Sequence, residues 1–267
     1  MAKIIPLFNV KKFIKKSWIG KKYLSSSYYQ IKLNPSAYYN KKANLKFYKR
    51  LLATAKSRKI LIFDVGANLG QKSVIFSKIA KQVIAFEPTT ELVKKLEEKF
   101  KGTNVKIIHS ALGSSNSCTE MYIINDNQAY NSLQKKHIET TTNKRGIANL
   151  STVGTQKVNI ETLEENIKKF GLPVYIKIDV EGYEFEVLSG LRTPVPIISF
   201  EVNLPEFRDE GLKCINYIQR LSSKGYKFNF TTDIDFLNSH FLEPEAALHF
   251  IRTTDLEYLE VYARQNI

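Results

Sequence analysis

The feature that most constrains the fold of this chain is a strand-length apolar run that stops on a glycine turn. Lys59-Ile60-Leu61-Ile62-Phe63-Asp64-Val65 runs directly into Gly66-Ala67-Asn68-Leu69-Gly70. A run this apolar suits a parallel strand covered on both faces. The pattern then repeats along the chain. Residues 71–80 fit a helix, 83–86 a second strand, 90–100 a helix and 105–108 a third strand. Residues 174–180 and 196–202 read as a fourth and fifth buried strand, and 226–231 and 258–263 as closing strands. Helices are expected over 161–170, 183–190 and 213–223. Residues 121–124 suit a further strand, whereas 125–155, polar and rich in Asn and Thr, read as loop. Strands alternating with helices imply right-handed crossovers and an α/β, doubly wound sheet. Such sheets take ligands at the carboxyl ends of their strands, near the point where strand order reverses.

Three segments at those strand ends carry chemistry. In the glycine turn, Gly66 and Gly70 permit positive φ and a close backbone approach. No GK[ST] follows, so this is not a Walker loop, and Asn68 breaks a GxGxxG pattern. Asp64 ahead of the first glycine favours a ligand that carries an amine over a pyrophosphate; a tight turn with no ligand is the alternative. Glu87 ends the second strand, 21 residues beyond Gly66. An acid there can accept from two ribose hydroxyls, which serves NAD as well as other nucleosides. Asp179 and Glu181, two apart at the end of the fourth strand, would point to one side of an extended backbone. Glu184 and Glu186 follow, as acids do at helix starts.

Residues 63–73, 85–88 and the stretch IKIDVEGYEFEVLSG at 176–190 resemble the signature segments of the FkbM family of S-adenosylmethionine-dependent methyltransferases. Ser110-Ala111-Leu112-Gly113 and Asn131-Ser132-Leu133 resemble that family too, and the similarity runs from about residue 59 to 203. The resemblance implies a class I, Rossmann-like domain over 59–267 with a mostly parallel seven-stranded sheet, preceded by a basic helical extension at 1–58. It implies S-adenosylmethionine held by Gly66, Asn68 and Gly70 at its methionine end, with Asp64 and Ser73 in the same set. Glu87 would take the ribose, Ser110 and Ala111 would flank adenine, and Asp179 and Glu181 would lie near the methionine amino group and the acceptor. The family methylates hydroxyls of carbohydrates and polyketide-type products, so an O-methyltransferase acting on a saccharide of a surface glycan or glycolipid precursor is the expected activity.

Methyl transfer to a hydroxyl needs alignment and removal of a proton. The candidate groups are Glu181, Asp179 and Glu201, the last at the end of the fifth strand. His109 reads as structural. Converging carboxylates can hold Mg²⁺, but no metal constellation stands out, and no metal ligand is assigned. Two other readings stay open. An RNA methyltransferase would suit the net charge of +14, although Asn203-Leu204-Pro205 is not the Asn-Pro-Pro-Tyr signature of base-amino methylation. A cofactor-binding interaction module without turnover is the other.

The charge is localised. Residues 1–59 hold 16 of the 40 Lys and Arg and no acid, which leaves 24 basic against all 26 acidic side chains in the remainder. On a helical wheel of residues 7–18, Leu7, Val10, Phe13, Ile14 and Trp18 share one arc and Lys11, Lys12, Lys15 and Lys16 the other. A basic amphipathic segment at residues 3–24 suits peripheral contact with an anionic membrane; packing on the body or nucleic-acid binding are its alternatives. Cys118 and Cys214 form no CxxC pair, as expected of a cytoplasmic chain.

Overall fold

The apolar runs become the centre of a seven-stranded sheet. The structure is a computed structural model and describes residues 35–53, 60–124, 133 and 152–266. The chain divides into two units, with the boundary between Tyr48 and Lys49. Helix α1 (Pro35–Leu52) carries Lys49 and Arg50 in its last turn, where they complement the negative end of the helix dipole. The basic segment at 3–24 lies outside the described residues, as do 125–132 and 134–151. Among the described residues no helix is long and apolar enough to cross a membrane.

In chain order the second unit runs β1 (Leu61–Val65), α2 (Gln71–Phe76), β2 (Gln82–Phe86), α3 (Thr90–Phe100), β3 (Val105–Ile108), β4 (Ala111–Leu112), β5 (Ser117–Ile124) and β6 (Thr152–Glu161). It continues with α4 (Leu163–Phe170), β7 (Tyr175–Ile178), α5 (Glu184–Ser189), β8 (Ile197–Asn203), α6 (Arg208–Ile218), β9 (Tyr226–Thr231), α7 (Pro244–Thr253) and β10 (Tyr258–Gln265). The main sheet has the order β3-β2-β1-β7-β8-β10-β9. Its first five strands pair in parallel, and β10 is antiparallel to both neighbours. This is the mostly parallel seven-stranded sheet expected from the sequence. Chain order reverses between β1 and β7, which opens a crevice at their carboxyl ends.

Successive strand residues face opposite sides, and the two faces of this sheet differ sharply. One carries Phe63, Val65, Ile176, Ile178, Ile198, Phe200 and Val202, packed with Leu163, Val187, Leu188, Ile215 and Ile251 from α4–α7. The other carries buried polar and charged groups: Asp64, Lys177, Ser199 and Glu260 are each less than 5% exposed. A second, three-stranded sheet, β4-β6-β5, closes over a small cluster of Ala111, Met121, Val158 and Ile160.

Several boundaries depart from the sequence reading. Thr152–Glu161 is a strand, not the end of a loop, because it pairs with all of β5. Helix α6 starts at Arg208 and ends at Ile218, ahead of the expected 213–223, and α2 stops at Phe76. Helix α7 was not anticipated, although Pro244 at its start is a usable signal.

Arg208 ties α6 to the end of α7. Its guanidinium donates to the carbonyls of Ile251, of Arg252 at 2.7 Å and of Thr254 at 3.1 Å, oxygens that the helix itself leaves unpaired. Arg208→Ala is expected to lower stability by about 2 kcal/mol. Arg208→Lys should recover only part of that loss, because one ammonium cannot reproduce the planar fork. Urea unfolding of the three proteins measures both differences.

Candidate functional site

The glycine turn is shaped by what packs behind it. Gly66 has φ 81° and Gly70 has φ 70°. A Cβ on Gly66 would fall 1.7 Å from the Asp179 carbonyl oxygen. One on Gly70 would meet Leu96 and Phe100 of α3, each at 2.7 Å. Both glycines therefore allow elements of this chain to meet, and Gly66 brings the β1 turn against the tip of β7. The amides of Gly66 and Ala67 both donate to the Phe86 carbonyl, at 3.1 and 2.9 Å. The Asp179 amide donates to the Val65 carbonyl at 3.0 Å. Three strand ends are pinned together in this way around one crevice.

Glu87 sits at the end of β2 and is 4% exposed. Its Oε2 accepts the Asn68 amide at 2.8 Å and its Oε1 the Thr89 amide at 2.9 Å. Asn68 reaches that contact with φ 50°, a left-handed conformation that asparagine tolerates. Burial raises the Glu87 carboxyl above its ordinary range, and the two amides oppose that rise. The Thr89 hydroxyl also bonds to this carboxylate, whose roughly four acceptor positions leave capacity for a ligand.

A cleft opens at this place, at the carboxyl ends of β1, β2 and β7. Its walls include Gly66, Asn68, Glu87, Ser110, Ala111, Asp179, Glu181 and Tyr183, with Met121 and Leu133 from the small-sheet side. The Ser110 hydroxyl is buried and has no hydrogen-bond partner among the described residues, and a buried polar group of that kind marks a place where a ligand atom can bind. The described lining contains three carboxylates, Glu87, Asp179 and Glu181, and no lysine or arginine. Such a wall favours a positively charged ligand.

The remaining predicted residues lie behind this wall. The Ser73 hydroxyl donates to Asp64 Oδ2 in a short hydrogen bond, and both are at most 1% exposed. Burial raises the Asp64 carboxyl. Neither residue, nor Gly70, is part of the described cleft lining. Glu201 also lies off that wall; it accepts the Tyr258 hydroxyl at 2.9 Å. Burial, and then the charge of Asp179, hold its carboxyl well above the usual carboxylate range.

Sequence reasoning passed over the group at the centre of this layer. Lys177, 1% exposed, donates to Asp179 Oδ2 at 2.6 Å. The surrounding carboxylates, Asp179 foremost, raise it well above the ordinary lysine value although burial works the other way. Beside it Tyr175 and Ser199 share a hydrogen bond of 2.7 Å, and Ser199 donates to Glu260 Oε1 at 3.0 Å. The only signal in the sequence was a lysine within an otherwise apolar strand. Among the described residues no group of three or more His, Cys, Asp or Glu side chains is placed to hold a metal ion.

The parallel sheet and the acid-walled cleft at its switch point define a Rossmann-like domain. The chain belongs to the methyltransferase FkbM domain family, whose model matches residues 64–228. The hexuronic acid methyltransferase AglP of Haloferax volcanii is 26% identical over 155 residues, which is 57% of this chain and 59% of that relative. The chain thus spans less than two thirds of the length of the curated relative it matches. Among solved structures, the plantazolicin methyltransferase BpumL in complex with SAH aligns with a TM-score of 0.45 and 14% identity, covering 97% of this chain and 96% of that one. A precorrin-6y C5,15-methyltransferase from Geobacter metallireducens aligns with a TM-score of 0.41 and 9% identity, covering 85% and 87%.

Proposed function

We propose that the protein is an S-adenosylmethionine-dependent O-methyltransferase that methylates a hydroxyl of a saccharide. The observation that carries the reading is one cleft that joins Glu87 and the unpartnered Ser110 hydroxyl to Asp179 and Glu181 at the β1–β7 switch point. The saccharide acceptor is supported by family membership and by the hexuronic acid activity of the AglP relative. The basic segment at 3–24 suits an acceptor carried on an anionic membrane surface.

S-adenosylmethionine supplies a methyl group on a sulfonium centre. Glu87 would hold the ribose hydroxyls, and Ser110, with its unpartnered hydroxyl, would lie beside the adenine. Asp179, held in place by Lys177, would receive the cofactor's ammonium group. The acceptor hydroxyl is a poor nucleophile until its proton is withdrawn, and the Glu181 carboxylate accepts that proton. Glu201 is a poorer base for this step: it lies off the cleft wall, and its surroundings favour retention of a proton.

Glu181→Gln is expected to reduce turnover by roughly 10²–10⁴-fold while leaving the affinity for S-adenosylmethionine within about threefold. Single-turnover kinetics and calorimetric titration measure the two effects, and unchanged turnover would remove Glu181 from the base role. The function itself is tested by transferring labelled methyl groups from the cofactor to separate pools of glycan and RNA. Label in the glycan pool supports the proposal. Label only in RNA overturns the acceptor, and cofactor binding with no transfer to either pool overturns the activity.

A further inference from the structure

Glu184 opens α5 and turns its carboxylate back onto the residues before it. Its Oε1 accepts the Val180 amide at 3.1 Å and the Gly182 amide at 3.2 Å. These two amides flank Glu181, so a single oxygen straddles the residue that takes the acceptor's proton. The side chain is well enclosed, since the residue is only 7% exposed. Tyr183, the residue between the turn and the helix, contributes no side-chain hydrogen bond at the helix start.

The turn needs a clamp. Glu181 at φ 54° and Gly182 at φ 93° are consecutive residues in the left-handed region. Gly182 adopts that conformation without penalty, whereas Glu181 has a Cβ that disfavours it. A non-glycine residue stays in such a conformation only where its surroundings over-determine it. Upstream, the Asp179 amide is tied to the Val65 carbonyl at 3.0 Å. Downstream, the Glu184 carboxylate makes the corresponding tie.

We propose that Glu184 is a positioning residue: its carboxylate fixes the turn at residues 179–182 so that Glu181 is presented to the acceptor end of the cleft. The inference rests on the base role given to Glu181 above. It also gives the clamp a dependence on pH. Burial pushes the Glu184 carboxyl up to about 7, the charge of Glu181 adds to that rise, and the amides it binds oppose it. From α6 the group facing it is the Cys214 thiol, which is itself raised by burial and then by the Glu184 charge. Across the neutral range the acceptor of the two amides therefore passes from a neutral carboxyl to a carboxylate, and the hydrogen bonds strengthen as pH rises.

The test uses the full chain and two variants. Glu184→Gln keeps an oxygen for both amides and removes the charge. It is expected to lower kcat by about tenfold, with S-adenosylmethionine affinity within about threefold. The rise in kcat through the neutral range should also be lost. In protein labelled with ¹⁵N-glycine, the Gly182 amide should titrate near neutrality in the wild type and not in Glu184→Gln. In crystals of Glu184→Ala, Glu181 is expected to leave the left-handed region. Wild-type kcat and pH profile in Glu184→Gln would overturn the proposal, as would an unaltered turn in Glu184→Ala. The NMR and crystallographic readouts need no acceptor. A failure to find methyl transfer in the wild type would thus count against the proposed activity, while the turn geometry still decides the role of Glu184.

Discussion

Alanine in place of Gly66 is expected to remove most of the affinity for S-adenosylmethionine and to destabilise the fold. The added Cβ would lie 1.7 Å from the Asp179 carbonyl oxygen and 2.8 Å from its carbon. Neither partner is a flexible side chain that can swing aside. The β1 turn is held by two hydrogen bonds to Phe86, and the β7 tip by the bond from Asp179 to Val65. Relieving the overlap must therefore separate the two strand ends that form the crevice. A loss of about 3–5 kcal/mol is expected from overpacking combined with the strained backbone, and cofactor affinity should fall by about 100-fold or more. Gly102→Ala is the control. Gly102 has φ 74° but nothing within 4 Å of its missing Cβ, so its substitution carries the conformational cost alone, about 1–2 kcal/mol. Denaturant unfolding and calorimetric titration compare the two variants. Equal losses would mean that close packing is not the reason for glycine at position 66.

Lys177→Met should be nearly as damaging, for an electrostatic reason. Lys177 is the cation facing Asp179, Asp64, Glu201 and Glu260 in the buried layer of the sheet. Methionine fills similar volume but leaves that acidic group without its counter-charge. Breaking a buried pair by removing one partner costs about 3–5 kcal/mol. The sign of the pH dependence follows from the carboxylates that remain. Asp64 and Glu201 already titrate above their ordinary values, with Lys177 holding both down. Without it their folded-state values rise further, so the folded protein binds more protons than the unfolded chain. The contribution of these two groups to stability is then greatest at low pH and falls as pH rises through the raised folded-state values. Urea unfolding should find the variant's deficit smaller near pH 5 than near pH 8. An equal deficit at both would show that packing, not charge, is what Lys177 contributes.

What could be read from the sequence, and what could not, divides along the range of the interactions. Strands β1, β2, β7 and β8 are covered on both faces, so their local composition announces them. The ends of these strands were legible because glycine and acidic residues are costly in apolar surroundings. β6 gave no such signal. Its segment, TVGTQKVNIE, places Val158 and Ile160 in the small cluster, and the pairing with β5 decides its conformation. Asp64 and Ser73 enter the cofactor set through the family resemblance. Their mutual hydrogen bond across nine residues depends on how α2 docks, which no local pattern records. Glu201 and its partner Tyr258 are 57 residues apart in sequence. Glu184 was legible only as an acid at a helix start. Its hold on two amides depends on consecutive positive φ angles that the dipeptide Glu181-Gly182 permits but does not dictate.

The two amides that grip Glu87 have a thermodynamic consequence for recognition. With one oxygen bonded to Asn68 and the other to Thr89, the carboxylate has no rotameric freedom left to surrender when a ligand arrives. An exposed glutamate would lose about 0.5–1.5 kcal/mol on being immobilised by a nucleoside. Here that ordering took place when the chain folded. In the ribose role proposed for Glu87, the site should therefore bind a nucleoside with a smaller entropic penalty than a carboxylate on a mobile loop, with the glycine turn that supplies the Asn68 amide as its brace.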